Sequence, residues 1–150
     1  MVKRSTSAAA ALLVLSLVPP RLHAAPAPFE CPVELPRTEQ KLDTAPDGFT
    51  VTTATPYPKH ELTGFRVNLG PVEVSDATIN DKASSKRDAR GGLTETLTWN
   101  VAQYESAYAI CLYRATTQAL VRPLTGYREC TVVSTAAPSG LLKMQSASCR

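Results

Sequence analysis

The four cysteines are the residues whose chemistry can be judged most directly from spacing. They are Cys31, Cys111, Cys130 and Cys149. A zinc clip requires two ligands separated by two to four residues, and no two of these cysteines are that close. Of the two histidines, His23 lies in the amino-terminal segment described below, which leaves His60 alone to complete a site. The spacing therefore predicts no metal centre, and we expect no cofactor.

Residues that could catalyse a reaction are present, but their surroundings do not favour catalysis. A nucleophilic triad needs a histidine beside a serine or cysteine, and His60 lies between two charged residues in a proline-rich stretch, where we expect it on the surface. Asp76, Asp81 and Asp88 lie among lysines and arginines, which is typical of solvated side chains. Gly91-Gly92 has no helical pattern after it and is not a phosphate-binding loop. The sequence predicts that the protein is not an enzyme.

The amino terminus has the three-part layout of a secretory signal peptide. Lys3 and Arg4 precede the apolar run 8–18, and Ala24 offers a small residue for cleavage. The run is shorter than the roughly 20 residues needed to cross a bilayer. The residues before Cys31 do not match a lipobox, so we expect no membrane anchor. We predict that residues 1–24 are cleaved and that residues 25–150 form one periplasmic domain.

Removal of this signal peptide changes the charge balance. The full chain carries 16 basic and 13 acidic side chains, and Lys3, Arg4 and Arg21 lie within the predicted signal. The mature chain then has as many basic as acidic groups. A net charge near zero argues against a nucleic-acid partner, whose binding depends on an excess of positive charge.

The clearest strand pattern lies between Gly92 and Pro123. One side of the first predicted strand is apolar except for a glutamate: Leu93, Glu95, Leu97, Trp99 and Val101. Two further apolar runs, 107–113 and 119–121, follow after short polar breaks, which predicts an antiparallel meander. We expect Trp99, Tyr108 and Tyr113 in the core, and the alternative is a ligand groove that they line.

The region before this meander is less regular. Frequent prolines exclude long helices, and strands are predicted over Gly48 to Thr53 and Leu62 to Leu69, with another beginning at Val72 to Val74. The polar segment Asn80 to Gly92 is predicted to be a loop. Its densest basic group is a candidate contact for an acidic partner surface, against the alternative of a solvated connection. That group consists of Lys86, Arg87 and Arg90.

Four cysteines in an exported chain are expected to form two disulfides, and three connectivities are possible. If Ser139-Gly140 forms a two-residue hairpin turn, Cys130 lies directly opposite Cys149. Cys31 then pairs with Cys111. The competing bond, Cys111 to Cys130, would place a turn inside an apolar run. The resulting expectation is an all-β protein, a small antiparallel sheet or sandwich with a carboxy-terminal hairpin, held by two disulfides.

Several short motifs resemble a family of short, exported, functionally uncharacterised four-cysteine proteins of Gram-negative bacteria. The resemblance covers nearly the whole predicted mature chain. The motifs are Cys31-Pro32, Asp47-Gly48-Phe49, Leu62-Thr63-Gly64, Leu69-Gly70-Pro71, Trp99, Cys111-Leu112-Tyr113, Arg122-Pro123-Leu124, Cys130 and Cys149. The resemblance implies periplasmic residence, a β-rich fold and no catalytic residues. Such proteins are also associated with loci of bacterial antagonism, which favours an immunity role.

Two functional hypotheses follow. The first is a periplasmic binding protein that acts as an inhibitor or immunity protein against a cell-wall-directed enzyme, with a periplasmic or secreted protein as its partner. A rigid, disulfide-held sheet with protruding loops suits such binding because preorganisation lowers its cost. The alternative is an envelope accessory or structural protein with no enzyme target.

Overall fold

The computed structural model describes residues 25–38, 44–52, 58–70 and 76–150. Within these ranges the chain forms nine strands and a 3-10 turn at Val101–Gln103. In chain order the strands are β1 (Phe29–Glu30), β2 (Glu34–Pro36), β3 (Lys59–Leu69), β4 (Lys82–Arg87), β5 (Leu93–Asn100), β6 (Ala107–Tyr113), β7 (Ala119–Pro123), β8 (Glu129–Ala136) and β9 (Lys143–Cys149). The predicted signal peptide and the predicted strand start at Val72 to Val74 lie outside the described residues.

The strands form two antiparallel sheets, which confirms the predicted all-β class. The first sheet has the order β1-β9-β8-β5-β4, and the second has the order β2-β3-β6-β7. Buried side chains of both sheets form one core cluster, in which Trp99 and Val132 of the first sheet join Val67 and Ala109 of the second. The Phe65 ring meets the Trp99 ring edge to face, with centroids 5.5 Å apart. The alternation read from β5 therefore identifies the buried face correctly.

The predicted meander required β5 to pair with β6 and β6 to pair with β7. The second pairing is confirmed and the first is wrong. Strand β7 pairs with β6, with Leu120 opposite Cys111, but β6 takes β3 as its other neighbour. Both sides of β5 are occupied, by β4 and by β8. The chain leaves the first sheet through Val101–Gln103, where the buried Val101 donates its N–H to the carbonyl of Arg128 at 2.9 Å. The first two of the three apolar runs consequently lie in different sheets.

The segment Asn80 to Gly92 was predicted to be a loop, and this prediction is wrong. The segment contains the edge strand β4. All six residues of β4 are exposed and none is a large apolar residue, so the strand carries no hydrophobic alternation. Its backbone pairing with β5, from Lys82 opposite Thr98 to Arg87 opposite Leu93, makes it a strand.

The strand predicted over Gly48 to Thr53 is also wrong for the described residues 48–52, which form no strand. Gly48 has a φ of +82°, in the region that glycine tolerates best, and Phe49 donates to the carbonyl of Pro46 at 3.1 Å. The chain therefore turns here. By contrast, the strand predicted over Leu62 to Leu69 is confirmed and begins earlier, at Lys59.

The carboxy-terminal hairpin has the predicted cysteine pairing and a different turn. Cys130 faces Cys149 and is bonded to it. The turn is not the predicted two-residue Ser139-Gly140: Gly140 donates to the carbonyl of Ala137 at 2.9 Å, and the strands end at Ala136 and Lys143. The pairing shifts by one residue between Val133 and Ser134. This bulge compensates for the different turn, so the cysteines still meet.

The second disulfide, Cys31–Cys111, is also the predicted one and joins positions 80 residues apart. Cys31 lies between β1 and β2, where the chain passes from the first sheet to the second, and donates its N–H to Ala147 of β9 at 2.8 Å. The Tyr113 hydroxyl donates to the Pro32 carbonyl at 3.0 Å, and the Tyr127 hydroxyl donates to the Ala27 carbonyl at 2.9 Å. We call residues 25–36, from the first described residue to the end of β2, the amino-terminal arm. This arm is thus fixed to both sheets.

Candidate partner-binding surface

His60 is a buried structural residue, so its predicted surface position is wrong. The side chain is 3% exposed. Its Nε2 accepts the N–H of Thr38 at 3.2 Å, which leaves Nδ1 to donate to the carbonyl of Arg114 at 2.8 Å. These bonds join the segment after β2 to the end of β6. Both ring nitrogens therefore hold backbone groups in place.

Two of the aspartates considered for catalysis organise the backbone instead. The Oδ1 atom of Asp88 accepts the N–H groups of Arg90 and Gly92, each at 2.8 Å, and Asp81 accepts the N–H of Asn100 at 2.6 Å. Within the described ranges, no three histidine, cysteine or acidic residues form a group that could hold a metal ion. The carboxylate of Asp88 has a local role, since it closes the turn between β4 and β5.

The three aromatic residues proposed as groove or core are not brought together at a ligand site. Trp99 and Tyr113 are buried, and burial raises the pKa of the Tyr113 phenol above its ordinary value because the charged phenolate loses solvation. A cleft of about 280 Å³ lies beside the Cys31–Cys111 bond, between β1 and β7, and none of the three aromatics lines it. The core interpretation holds for Trp99 and Tyr113.

The β4–β5 hairpin carries the basic group predicted from the sequence. Its register places Lys86 opposite Thr94 on the solvent face of the first sheet, and Arg87 opposite Leu93 on the side of the core face. Arg90 lies in the turn. All three side chains are exposed. The structure therefore places the three cations at one end of the hairpin, distributed over both faces and the tip.

The hairpin turn is rigid, because short contacts leave it little freedom. Asp88 donates its N–H to the carbonyl of Gly92 at 2.9 Å, and Gly91 has a φ of +84°, which a β-carbon would strain. A β-carbon at Gly92 would lie 2.6 Å from an oxygen of Asp88. The backbone conformation favours glycine at Gly91, and a β-carbon at Gly92 would force the Asp88 carboxylate to shift. The basic group is therefore presented by a preorganised turn.

A second turn lies against this one. A β-carbon at Gly91 would lie 3.6 Å from the β-carbon of Pro138, which belongs to the turn between β8 and β9. Leu141 and Leu142 follow Pro138 and are 88% and 44% exposed. We call the surface formed by residues 86–92 and 137–142 the double-hairpin end. It combines exposed leucines with three cations.

An open groove continues from the double-hairpin end toward the second sheet. Its volume is about 390 Å³, and it is lined by Leu142 and Met144 on one side and by Val33, Glu61 and Arg114 on the other. Arg114 and Glu61 approach to 3.8 Å, with both side chains exposed. Glu34, Thr63, Lys143 and Gln145 also line the groove, so it is a mainly polar continuation of the double-hairpin end.

The solvent face of the first sheet was not singled out from the sequence. Residues that are paired across strands lie on the same face of the sheet. The threonines on the solvent side of β5 therefore belong to a hydroxyl-rich surface that extends across the neighbouring strands. The members of this surface are Lys82, Ser84 and Lys86 on β4, Thr94, Thr96 and Thr98 on β5, Thr131, Val133 and Thr135 on β8, and Ser146 and Ser148 on β9. The alternation in β5 indicated part of it. The sequence also contained a signal for the exposed Leu141 and Leu142, because they directly follow the predicted Ser139-Gly140 turn, where side chains tend to be exposed.

Comparison with known families gives one finding. A family model described as Type VI secretion system Tli immunity protein matches residues 56–150, more than half of the chain and all of the double-hairpin end. Comparison with curated proteins and with solved structures gave no significant match.

Among the residues that the structure describes, no helix is long and apolar enough to cross a bilayer.

Proposed function

The chain belongs to the Tli immunity protein family of type VI secretion systems, and we propose that it protects its own cell by binding a type VI effector through the double-hairpin end. Immunity proteins act by binding an effector protein, so the partner class follows from the family. The surface that contacts the effector is our proposal.

The observation that carries the proposal is the clustering of exposed leucines and cations at one end of the first sheet. Leu141 is the more exposed of the two leucines and lies on a turn close to the turn that presents Arg90. Burying such a leucine in a partner pocket gives a favourable free energy of about 1.5–3 kcal/mol. The surrounding cations would accelerate association with an acidic surface. The two contributions together suit a partner with an apolar pocket bordered by carboxylates.

The place of action that we propose is the periplasm. Two disulfides close the fold, and disulfides persist in oxidising compartments such as the periplasm. Type VI immunity proteins are typically periplasmic, which agrees with the signal peptide predicted at residues 1–24. The narrower hypothesis of a cell-wall-directed effector enzyme is compatible with this location, because the cell wall is accessible there.

A competition experiment tests the immunity role and the contact surface together. A strain that lacks this gene should survive poorly beside type VI-active sister cells, and the wild-type gene should restore survival because its product neutralises the effector. The triple variant Lys86→Glu, Arg87→Glu, Arg90→Glu should restore survival less well. Its association with the purified effector at low salt should be slower by about tenfold or more.

A single-charge comparison controls for net charge. Arg90→Glu should slow association, whereas Arg128→Glu, an exposed cation at the opposite end of β8, should leave the rate nearly unchanged. Equal survival of the deletion strain would refute the immunity role and favour the envelope accessory protein. Unchanged binding by the triple variant would mean that the basic group is solvated and does not contact the effector.

The location has its own expected result. The mass of the protein in a periplasmic extract should correspond to a chain that begins at Ala25, because cleavage after Ala24 removes the predicted signal. Intact-mass spectrometry measures this directly. A retained amino terminus, or an attached lipid, would contradict the proposal of a cleaved, unanchored periplasmic protein.

A further inference from the structure

We propose that β4 is a strand-addition site: the effector lays an extended acidic segment along the open edge of β4 and lengthens the first sheet by one strand. The proposal rests on the immunity function above, since the effector supplies the segment. It adds a backbone-mediated contact to the side-chain surface of the double-hairpin end.

The edges of the two sheets differ in their capacity to accept a strand. Strand β1 has two residues, β2 has three and ends at Pro36, and β7 ends at Pro123. Proline lacks the N–H needed for pairing, so it protects an edge. In β7, moreover, Arg122 is held over the ring of Phe29, 4.7 Å from its centroid. Strand β4 has six residues and no proline.

The backbone groups available on β4 can be identified from its pairing with β5. Asp88 donates its N–H to Gly92, so the pair just beyond the strand is hydrogen-bonded. In an antiparallel ladder such pairs alternate, and the register runs without a shift. Ser84 and Lys86 therefore direct their N–H and C=O groups toward β5. Ala83, Ser85 and Arg87 direct theirs away from it, and among the described residues no strand pairs with that side.

The charges on β4 favour a foreign acidic segment over a second copy of this chain. A two-fold pairing centred on Ser84 would place Lys82 opposite Lys86 of the other copy, and like charges in directly opposed positions destabilise a sheet. Lysines on an edge strand are a common device against self-pairing. A segment with aspartate or glutamate opposite Lys82 and Lys86 would remove the repulsion and add cross-strand attraction.

The surroundings of β4 keep its edge in a fixed geometry before binding. Strand β5 pairs with β4 over six residues and with β8 over eight, so β4 is attached to the centre of the sheet. The rigid turn at Asp88 fixes its end. A template that is already extended loses little conformational entropy when a partner strand adds to it.

Proline substitution at Ser85 tests the proposal because it changes the outward edge alone. Ser85→Pro removes an N–H that faces away from β5, so the thermal midpoint should stay within a few degrees of wild type, as for a proline on the free side of an edge strand. The dissociation constant for the purified effector of the association experiment should rise by about tenfold or more, since one backbone bond is lost and the ring obstructs the added strand. Titration calorimetry measures the constant.

Two matched variants serve as controls. One separates the loss of the backbone N–H from the loss of the side chain, and the other compares an N–H that faces away from β5 with one that faces β5. Ser85→Ala keeps the N–H and should bind like wild type. Ser84→Pro removes an N–H directed at β5 and should lower the thermal midpoint. Wild-type affinity in a folded Ser85→Pro protein would overturn the strand-addition proposal, and so would an equal loss of affinity in Ser85→Ala.

Amide hydrogen exchange keeps the test decisive if Ser85→Pro fails to fold. In the wild-type protein the amides of Ala83, Ser85 and Arg87 should exchange rapidly when free and at least tenfold more slowly when the effector is bound. Unchanged exchange at these amides in a tight complex would refute strand addition while leaving the immunity function intact.

If the wild-type protein neither protects cells nor binds the effector, the proposed function itself fails. A dimer of the protein alone that Ser85→Pro dissociates would assign the edge to a second copy and overturn the proposal.

Discussion

Replacing Cys31 and Cys111 together by alanine should lower the free energy of unfolding by about 4–5 kcal/mol, the chain-entropy value for a loop of this length. The bond closes a loop of 80 residues and ties the arm between the sheets to β6. Without it the arm keeps its short pairings through β1 and β2 and the hydrogen bonds of Tyr113 and Tyr127. Urea denaturation of the oxidised proteins measures the difference. The arm should also become the first site of limited proteolysis.

The other disulfide provides the matched control. Removing both Cys130 and Cys149 opens a loop of 19 residues, for which the expected loss is smaller, about 3 kcal/mol. These cysteines face each other on strands that are already hydrogen-bonded neighbours. If the two double variants unfold at the same urea concentration, or if the carboxy-terminal hairpin is cleaved first, then the arm is not the part that depends most on a disulfide.

Truncation of Trp99 should have the next largest effect, a loss of about 3–5 kcal/mol in Trp99→Ala. The indole is 5% exposed and packs against Phe65 of the opposite sheet. Its Nε1 donates to the carbonyl of Thr78 at 3.4 Å. Truncation would leave a cavity between the sheets and remove this bond. Thermal and urea unfolding followed by far-ultraviolet circular dichroism measure the loss.

Thr98→Ala is the control for Trp99, because the neighbouring side chain points to the hydroxyl-rich face of the same strand. It should change stability by no more than about 0.5 kcal/mol. A Trp99→Ala protein that unfolds like wild type but no longer binds the effector would mean that the indole serves a contact surface rather than the core.

The parts of the fold that were predicted correctly depend on local pattern. Strand β5 was found because its apolar and polar residues alternate, and this alternation also placed Trp99 in the core. The pairing of Cys130 with Cys149 was predicted from a simple hairpin register. That register is correct at the cysteines although the turn differs, since the bulge between Val133 and Ser134 restores it.

The candidate surface was predicted only in part. Lys86, Arg87 and Arg90 stood out by charge density, and whether they contact a partner stays a prediction. Their position on a rigid hairpin was not foreseen. Gly91 and Pro138 are 47 positions apart in the chain and lie close together in the fold, and no local pattern reports that proximity. The exposed leucines beside the cations could therefore be recognised only after folding.

The sequence by itself determined the β class, the buried side of its best strand and the two disulfides, because side-chain alternation and hairpin register are properties of neighbouring residues. Tertiary structure alone decided which strands became neighbours: β5 paired with β4 and β8, while β6 crossed to the other sheet and paired with β3. It also decided that Lys82–Arg87 is a strand and that His60 is buried. The physical reason is that sheet pairing and burial are made through backbone bonds and packing between residues far apart in the chain. A polar edge strand and a buried histidine have no hydrophobic signature of their own.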